Sequence, residues 1–245
     1  MWPTSEEWLH ATDRQGRWVK TAPRSLLMAE IREYSRQHGE APMALPVVHI
    51  ILMTREGQLR LVQRGDKPEN PYMWDKAVGG HVVWQDPALP LSAFEANVHK
   101  EMAEEIGLHK IEIAANPLDF IERLHGGGVD LQQQVLLRMI DYDPWQGVMV
   151  QVKAGQPWVK RLNVAVYAGF YEGPMQFVDG EAIATCSVDP HALRAALIEN
   201  PWRYSDGLRV VIQRYLPLLL VGTQQERVAK QTGPVKRDNL ERVYE

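Results

Sequence analysis

Residues 79–108, GGHVVWQDPALPLSAFEANVHKEMAEEIGL, constrain the chain more than any other stretch. A Gly-Gly pair follows an apolar run, a proline-containing loop leads away from it, and the remainder reads as a single helix. Ser92 and Glu95 have the spacing of a capping box, in which a hydroxyl and a carboxylate satisfy the exposed backbone N–H groups of the first turn. Phe94, Val98, Met102 and Ile106 recur at every fourth position, so one stripe of this helix must be buried. Gly107 is the residue type that closes a helix in the left-handed conformation.

On the same helix Glu101, Glu104 and Glu105 stand at i, i+3 and i+4, which crowds their carboxylates beside the apolar stripe. Taken alone, they read more simply as a solvated acidic face, because like charges at this spacing cost only roughly 0.2 to 0.5 kcal/mol per pair. The accompanying pattern changes the reading. Gly80 followed by Lys100-Glu101-Met102-Ala103-Glu104-Glu105-Ile106-Gly107-Leu108 resembles the Nudix box, which ends Arg-Glu-aliphatic-x-Glu-Glu-x-Gly-aliphatic. It departs from the box at three points: Lys100 stands at the Arg position, Ser92 at the earlier Glu position, and the Gly-to-Glu spacing is longer.

This resemblance implies an α/β/α sandwich with a mixed sheet, carrying an N-terminal hairpin and helix and C-terminal helices. It also implies hydrolysis of a diphosphate bond in a nucleoside diphosphate linked to another moiety. Mg²⁺ or Mn²⁺ would be held by Glu101, Glu104, Glu105 and the main chain of Gly80. The chemistry agrees, since a hard cation takes carboxylate and carbonyl oxygens, neutralises the diphosphate and lowers the pKa of a bound water. The base that takes the proton from that water stays open among Glu101, Glu104 and Glu181. The order of elements is similar to the Nudix subgroup that includes isopentenyl-diphosphate isomerase and its hydrolase relatives. In that isomerase a catalytic cysteine stands where Gly79 stands here, and glycine has no proton to deliver to an alkene. Hydrolysis is therefore expected ahead of isomerisation, and a Nudix-shaped binding or regulatory protein is the other alternative.

Further residues are candidates for substrate binding. His81 matches the isomerase's metal-binding histidine, against the plainer role of a structural hydrogen-bonder. Arg64, with Asp66 and Lys67, ends a strand at the mouth of the expected site and offers a planar fork for phosphate, against the reading of a solvated strand end. Trp74 and Tyr72 offer rings for stacking, against core or rim packing.

Composition narrows the partners. A length of 245 residues with 45% hydrophobic residues supports a full core, and the net charge of −4 argues against a nucleic-acid partner that needs a basic surface. Cys186 is the single cysteine, which fits a reducing cytoplasm. No apolar run reaches membrane-spanning length, and the N-terminus lacks the basic-then-apolar layout of a signal peptide. The expected partner is a small-molecule diphosphate.

In chain order, 1–45 reads as an N-terminal addition, 46–221 as the Nudix-like domain with an insertion at about 119–160, and 222–245 as a polar tail. Trp8 to Val19 suggests a hairpin turning at Asp13-Arg14-Gln15-Gly16. Ser25 to His38 reads as a helix capped by Ser25 and stopped by Gly39. Val47 to Met53 pairs with Gln58 to Gln63 through Glu56-Gly57. Ile111–Ala114 and Phe120–Leu124 read as strands. Gln134–Tyr142 and Val148–Val152 read as a hairpin turning at Pro144 and Gly147, followed by another turn at Gly155 to Pro157. Leu162–Tyr171 reads as a strand, Phe177 to Glu181 as a turn, and Asp189 and Ser205-Asp206 as helix caps. The insertion has three open uses: extending the sheet, covering the pocket or forming a homodimer surface.

Overall fold

The computed structural model describes residues 6–67, 69–84, 91–150, 156–177 and 180–232, with side chains to residue 220. Gly155, Val178, Asp179 and the Gly233-Pro234 break lie outside the described residues. Backbone contacts divide the chain into two compact units.

The first unit comprises Met1–Ile50, Val78–Ala103 and Asp141–Val166. Strands β1 (Trp8–Thr12) and β2 (Trp18–Pro23) form the expected antiparallel hairpin. Its turn is held by Asp13, whose Oδ1 accepts from the N–H groups of Gln15 (2.9 Å) and Arg17 (3.0 Å). Helix α1 (Arg24–His38) ends at Gly39, which takes the left-handed φ of 67° required there. Its N-cap is Pro23 and not Ser25: the Ser25 hydroxyl donates to Glu6 instead of capping. Leu27, Met28 and Ile31 of α1 close over Leu9 and Ala11 of the hairpin, Leu45 and Trp158.

Strand β3 (Ala44–Met53) is buried at all ten positions. Its early residues pair with β6 (Val78–His81), placing Val47 opposite His81 and Val48 opposite Gly80. Helix α2 (Leu91–Ile106) begins before the expected cap, so Ser92 lies inside its first turn. Phe94, Val98 and Met102 are fully buried, as the four-residue stripe requires.

The expected hairpin at 134–152 is instead one continuous strand, β8 (Val135–Val150). Gly147 is there for packing: a Cβ at that position would lie 2.7 Å from Arg161 Nη1, the group that donates to the Trp145 carbonyl at 3.2 Å. Arg161 sits on β9 (Trp158–Phe170) and is fixed by two bonds to Glu40, at 2.7 and 2.6 Å.

The second unit comprises Ile51–Ala77, Glu104–Ile140 and Tyr167–Glu245. The end of β3 turns through Gly57 (φ 84°) into β4 (Leu59–Arg64), as expected. β4 also pairs with β5 (Trp74–Lys76) and with β10 (Ala182–Val188), a strand that no sequence pattern singled out. Hydrogen-bonded neighbours follow the order β10-β4-β3-β9-β8-β7, where β7 (Ile111–Ala114) runs parallel to β8 and most other registered pairs are antiparallel.

Phe120–Leu124 belongs to a helix, α3 (Pro117–His125), and not to a strand. Asn116 accepts from Asp119 N–H, proline occupies the first turn, and Phe120, Ile121 and Leu124 make the buried stripe. Helix α4 (Pro190–Glu199) is capped by Asp189 as expected, and after a short 3₁₀ turn at Pro201–Arg203 the chain enters α5 (Asp206–Thr232). Among the described residues no helix is long and apolar enough to cross a membrane.

Candidate functional site

Two of the box residues, Gly80 and Glu101, meet in the first unit, where β6 faces α2. Gly80 and Glu101 are brought together so closely that a Cβ on Gly80 would overlap the Glu101 carboxylate. The requirement for glycine is therefore steric, and its φ is not in the left-handed region. Glu101 is only 7% exposed. Its Oε1 accepts from Lys100 Nζ at 2.9 Å and from Asn97 Nδ2 at 3.3 Å, one turn back on the helix. Lys100, which stands where the Nudix box has Arg, thus pairs with its neighbour. Glu104 is exposed and Glu105 half-buried on the next turn of α2.

These donors suit a hard divalent cation: a carboxylate held against main chain that carries no side chain, with two more carboxylates on the same helix. The arrangement is a cradle and not a finished shell. Among the described residues, no group of three or more His, Cys, Asp or Glu side chains is gathered to hold a metal ion.

His81 follows Gly80 and turns to the N-terminal segment, with its Nδ1 3.6 Å from Glu7 Oε1. Arg24 Nη1 donates to the other Glu7 oxygen at 2.7 Å. Burial holds His81 below the ordinary histidine range, against the contact with Glu7, which raises it. That same contact is the main cause holding Glu7 at about 2, against burial and with help from Arg24. The imidazole therefore faces an ionised carboxylate at a separation longer than a hydrogen bond. Glu7 and Arg24 escaped the sequence reading because nothing local marks them; only the folded hairpin brings them to His81.

The other candidates lie in the second unit. Arg64 does not end as a bare solvated cation: its Nη1 donates to Asp75 Oδ2 at 3.0 Å. Asp75 is 5% exposed, and its Oδ1 accepts from Lys76 N–H (2.8 Å), Lys76 Nζ (3.4 Å) and Ser205 Oγ (2.6 Å). Burial alone would raise this carboxyl, but Lys76, Arg64 and the Ser205 hydroxyl outweigh it and hold the group at about 2. Trp74 is half-buried and its carbonyl accepts from Ser205 N–H at 2.9 Å, so its backbone has a structural task. Tyr72 is 56% exposed, at a positive φ of 60°. Glu181 forms an ion pair with Lys67.

Comparison with solved structures places the fold. The chain is similar to DR0079 from Deinococcus radiodurans over 85% of its own length and 98% of that chain, with a TM-score of 0.52 and 17% identity. The two share a fold, a mixed α/β arrangement consistent with a Nudix fold. It is also similar to a MutT protein from Methanosarcina mazei Go1, covering 70% and 92% of the two chains at a TM-score of 0.41 and 16% identity. A C. elegans Ap4A hydrolase matches over 73% and 99% of the two chains at a TM-score of 0.39 and 15% identity; neither of these two weighs on the fold. No family model matches the chain, and no curated protein sequence matches it.

Proposed function

We propose that this protein is a metal-dependent Nudix pyrophosphohydrolase that cleaves a diphosphate bond in a nucleoside diphosphate linked to another moiety, or in a similar diphosphate. The observation that carries the reading is Gly80 pressed against the buried Glu101 carboxylate, in a box whose other acids lie one turn further along α2. Glu101, Glu104, Glu105 and the Gly80 carbonyl would hold Mg²⁺ or Mn²⁺, which supplies charge neutralisation and an acidic bound water. The chain's own residues set the geometry: Asn97 and Lys100 fix the Glu101 head. The isomerase-like subgroup is retained for its hydrolases alone, because Gly79 has no proton to give. The lone Cys186 suits a reducing cytoplasm.

The test is a panel of nucleoside di- and triphosphates, sugar nucleotides, dinucleotides, coenzyme A and isoprenyl diphosphates, with and without Mg²⁺, the products identified by mass. Glu105→Gln is expected to retain the fold and lose most metal-dependent turnover; unchanged turnover would remove the ligand assignment. One observation favours a second reading, a non-catalytic ligand-binding protein: Lys100 Nζ already supplies a cation to Glu101. That reading predicts thermal stabilisation by a diphosphate with no phosphate released.

A further inference from the structure

The hairpin of the first unit presents aromatic surface that the fold does not use. Trp8 is 59% exposed and Trp18 50%, while Trp84 is buried at 7%. Trp18 Nε1 donates to Thr21 Oγ1 at 3.1 Å, and His10 Nδ1 lies 2.7 Å from the same oxygen. Behind His10 sits Trp84, with ring centroids 4.3 Å apart and planes at 44°. Trp8 and His10 are two residues apart on β1 and share a face, opposite Pro23 and Thr21. Trp18 is therefore tied to the hydroxyl that pins the imidazole, Trp8 shares the imidazole's strand face, and among the described residues His10 Nε2 takes no partner.

The position relates this surface to the diphosphate site in the same unit. Trp84 is four residues beyond Gly80, so the segment between them spans at most about 14 Å even when fully extended. That reach suits a nucleoside whose phosphates lie at Gly80. The exposed area points the same way. A fully buried aromatic side chain contributes roughly 150 to 250 Å², so two half-exposed indoles offer about 200 Å², far below the roughly 800 Å² per partner of a stable protein interface. It is enough for the face of one planar heterocycle. Burial keeps His10 below the ordinary histidine range, so its free nitrogen is presented by a neutral ring.

We propose that Trp18 and Trp8, backed by the His10–Trp84 pair, form a platform on which the nucleobase of the substrate stacks, with His10 Nε2 at its polar edge. The proposal rests on the diphosphate reading for the presence of a nucleoside, and its test is kept separate from catalysis. The full chain is titrated calorimetrically, without divalent metal, with adenosine, guanosine, cytidine and uridine, and with ribose 5-phosphate as the ring-free control. At least one nucleoside is expected to bind while the control does not. Trp18→Ala, whose fold is checked by circular dichroism, weakens that binding about tenfold, as the loss of one base–aromatic stack does. In turnover assays the same variant raises KM for nucleoside substrates and leaves kcat in place. Absence of nucleoside binding, or equal binding by Trp18→Ala, overturns the platform. So does a loss of self-association in Trp18→Ala, seen by sedimentation, with nucleoside affinity unchanged. Nucleoside binding that Trp18→Ala removes, in a chain that hydrolyses no diphosphate, upholds the platform and overturns the hydrolase reading. Hydrolysis with an unaltered KM in Trp18→Ala does the reverse.

Discussion

Glu101 and Asp75 are both buried carboxylates, each followed or preceded by a lysine that pairs with it, yet they are held in opposite ways. Asp75 is stapled by separate segments of the second unit: Arg64 from β4, its neighbour Lys76 on β5, and Ser205 at the start of α5. Glu101 accepts from Asn97 and Lys100 on its own helix, and it lies against a glycine that contributes only main chain. A carboxylate bonded from all sides is committed to the fold. One set against bare backbone is, in the function proposed above, the one that faces a ligand.

The sharpest break of this contrast is Asp75→Ala. It leaves Arg64 and Lys76 facing each other with no anion, and removing one partner of a buried ion pair costs about 3 to 5 kcal/mol. Urea denaturation is expected to show that loss, and a change below about 1 kcal/mol would deny Asp75 its structural role.

Gly80→Ala comes next and has the opposite signature. The new methyl group must push the Glu101 head aside, which lowers the proposed turnover about 100-fold, the effect of a small misplacement at a reacting centre. Stability falls by only about 1 to 3 kcal/mol, because the displaced atoms end a flexible side chain. Activity and melting temperature measured on the same preparation separate the two effects.

Acid titration sharpens the comparison further. Asp75 is held at about 2, below its ordinary value of 3.8, so its contribution is fully present above pH 4 and is lost as the pH falls from about 4 to 2. The size is about 2 kcal/mol by linkage. Melting temperature followed from pH 5 to pH 2 is expected to fall across that window, and to fall less steeply there in Asp75→Asn.

The smallest effect is Ser205→Ala. Ser205 Oγ accepts from Leu208 N–H at 3.0 Å and donates to Asp75, so its loss removes a helix cap and one of several bonds to the carboxylate. About 1 to 2 kcal/mol is expected from thermal melts, with the proposed turnover unchanged.

The sequence carried the elements whose signals are local. The hairpin, α1, the β3–β4 pair, the stripe of α2, β7 and the caps of α4 and α5 all follow from turn residues, side-chain period or cap chemistry over a few positions. Where the reading failed, the same signals had another cause. Pro144 and Gly147 resemble a turn, but Gly147 makes room for Arg161, and β8 runs straight through. Phe120 to Leu124 is too short a run to separate strand from helix by period, and the deciding cue was Asn116-Pro117 just ahead of it. β10 lacks strong alternation and is a strand because β4 pairs with it.

By itself the sequence determined that a helix bearing three carboxylates would bury its other stripe, and that a glycine pair would end the strand before it. Only the tertiary structure decided that Gly80 would receive Glu101, that His81 would meet Glu7, and that Asp75 would be closed off by a serine 130 residues away. The physical reason is range. Period, caps and turns are settled among neighbours along the chain, whereas the partner of a buried charge is settled by strand register and helix packing.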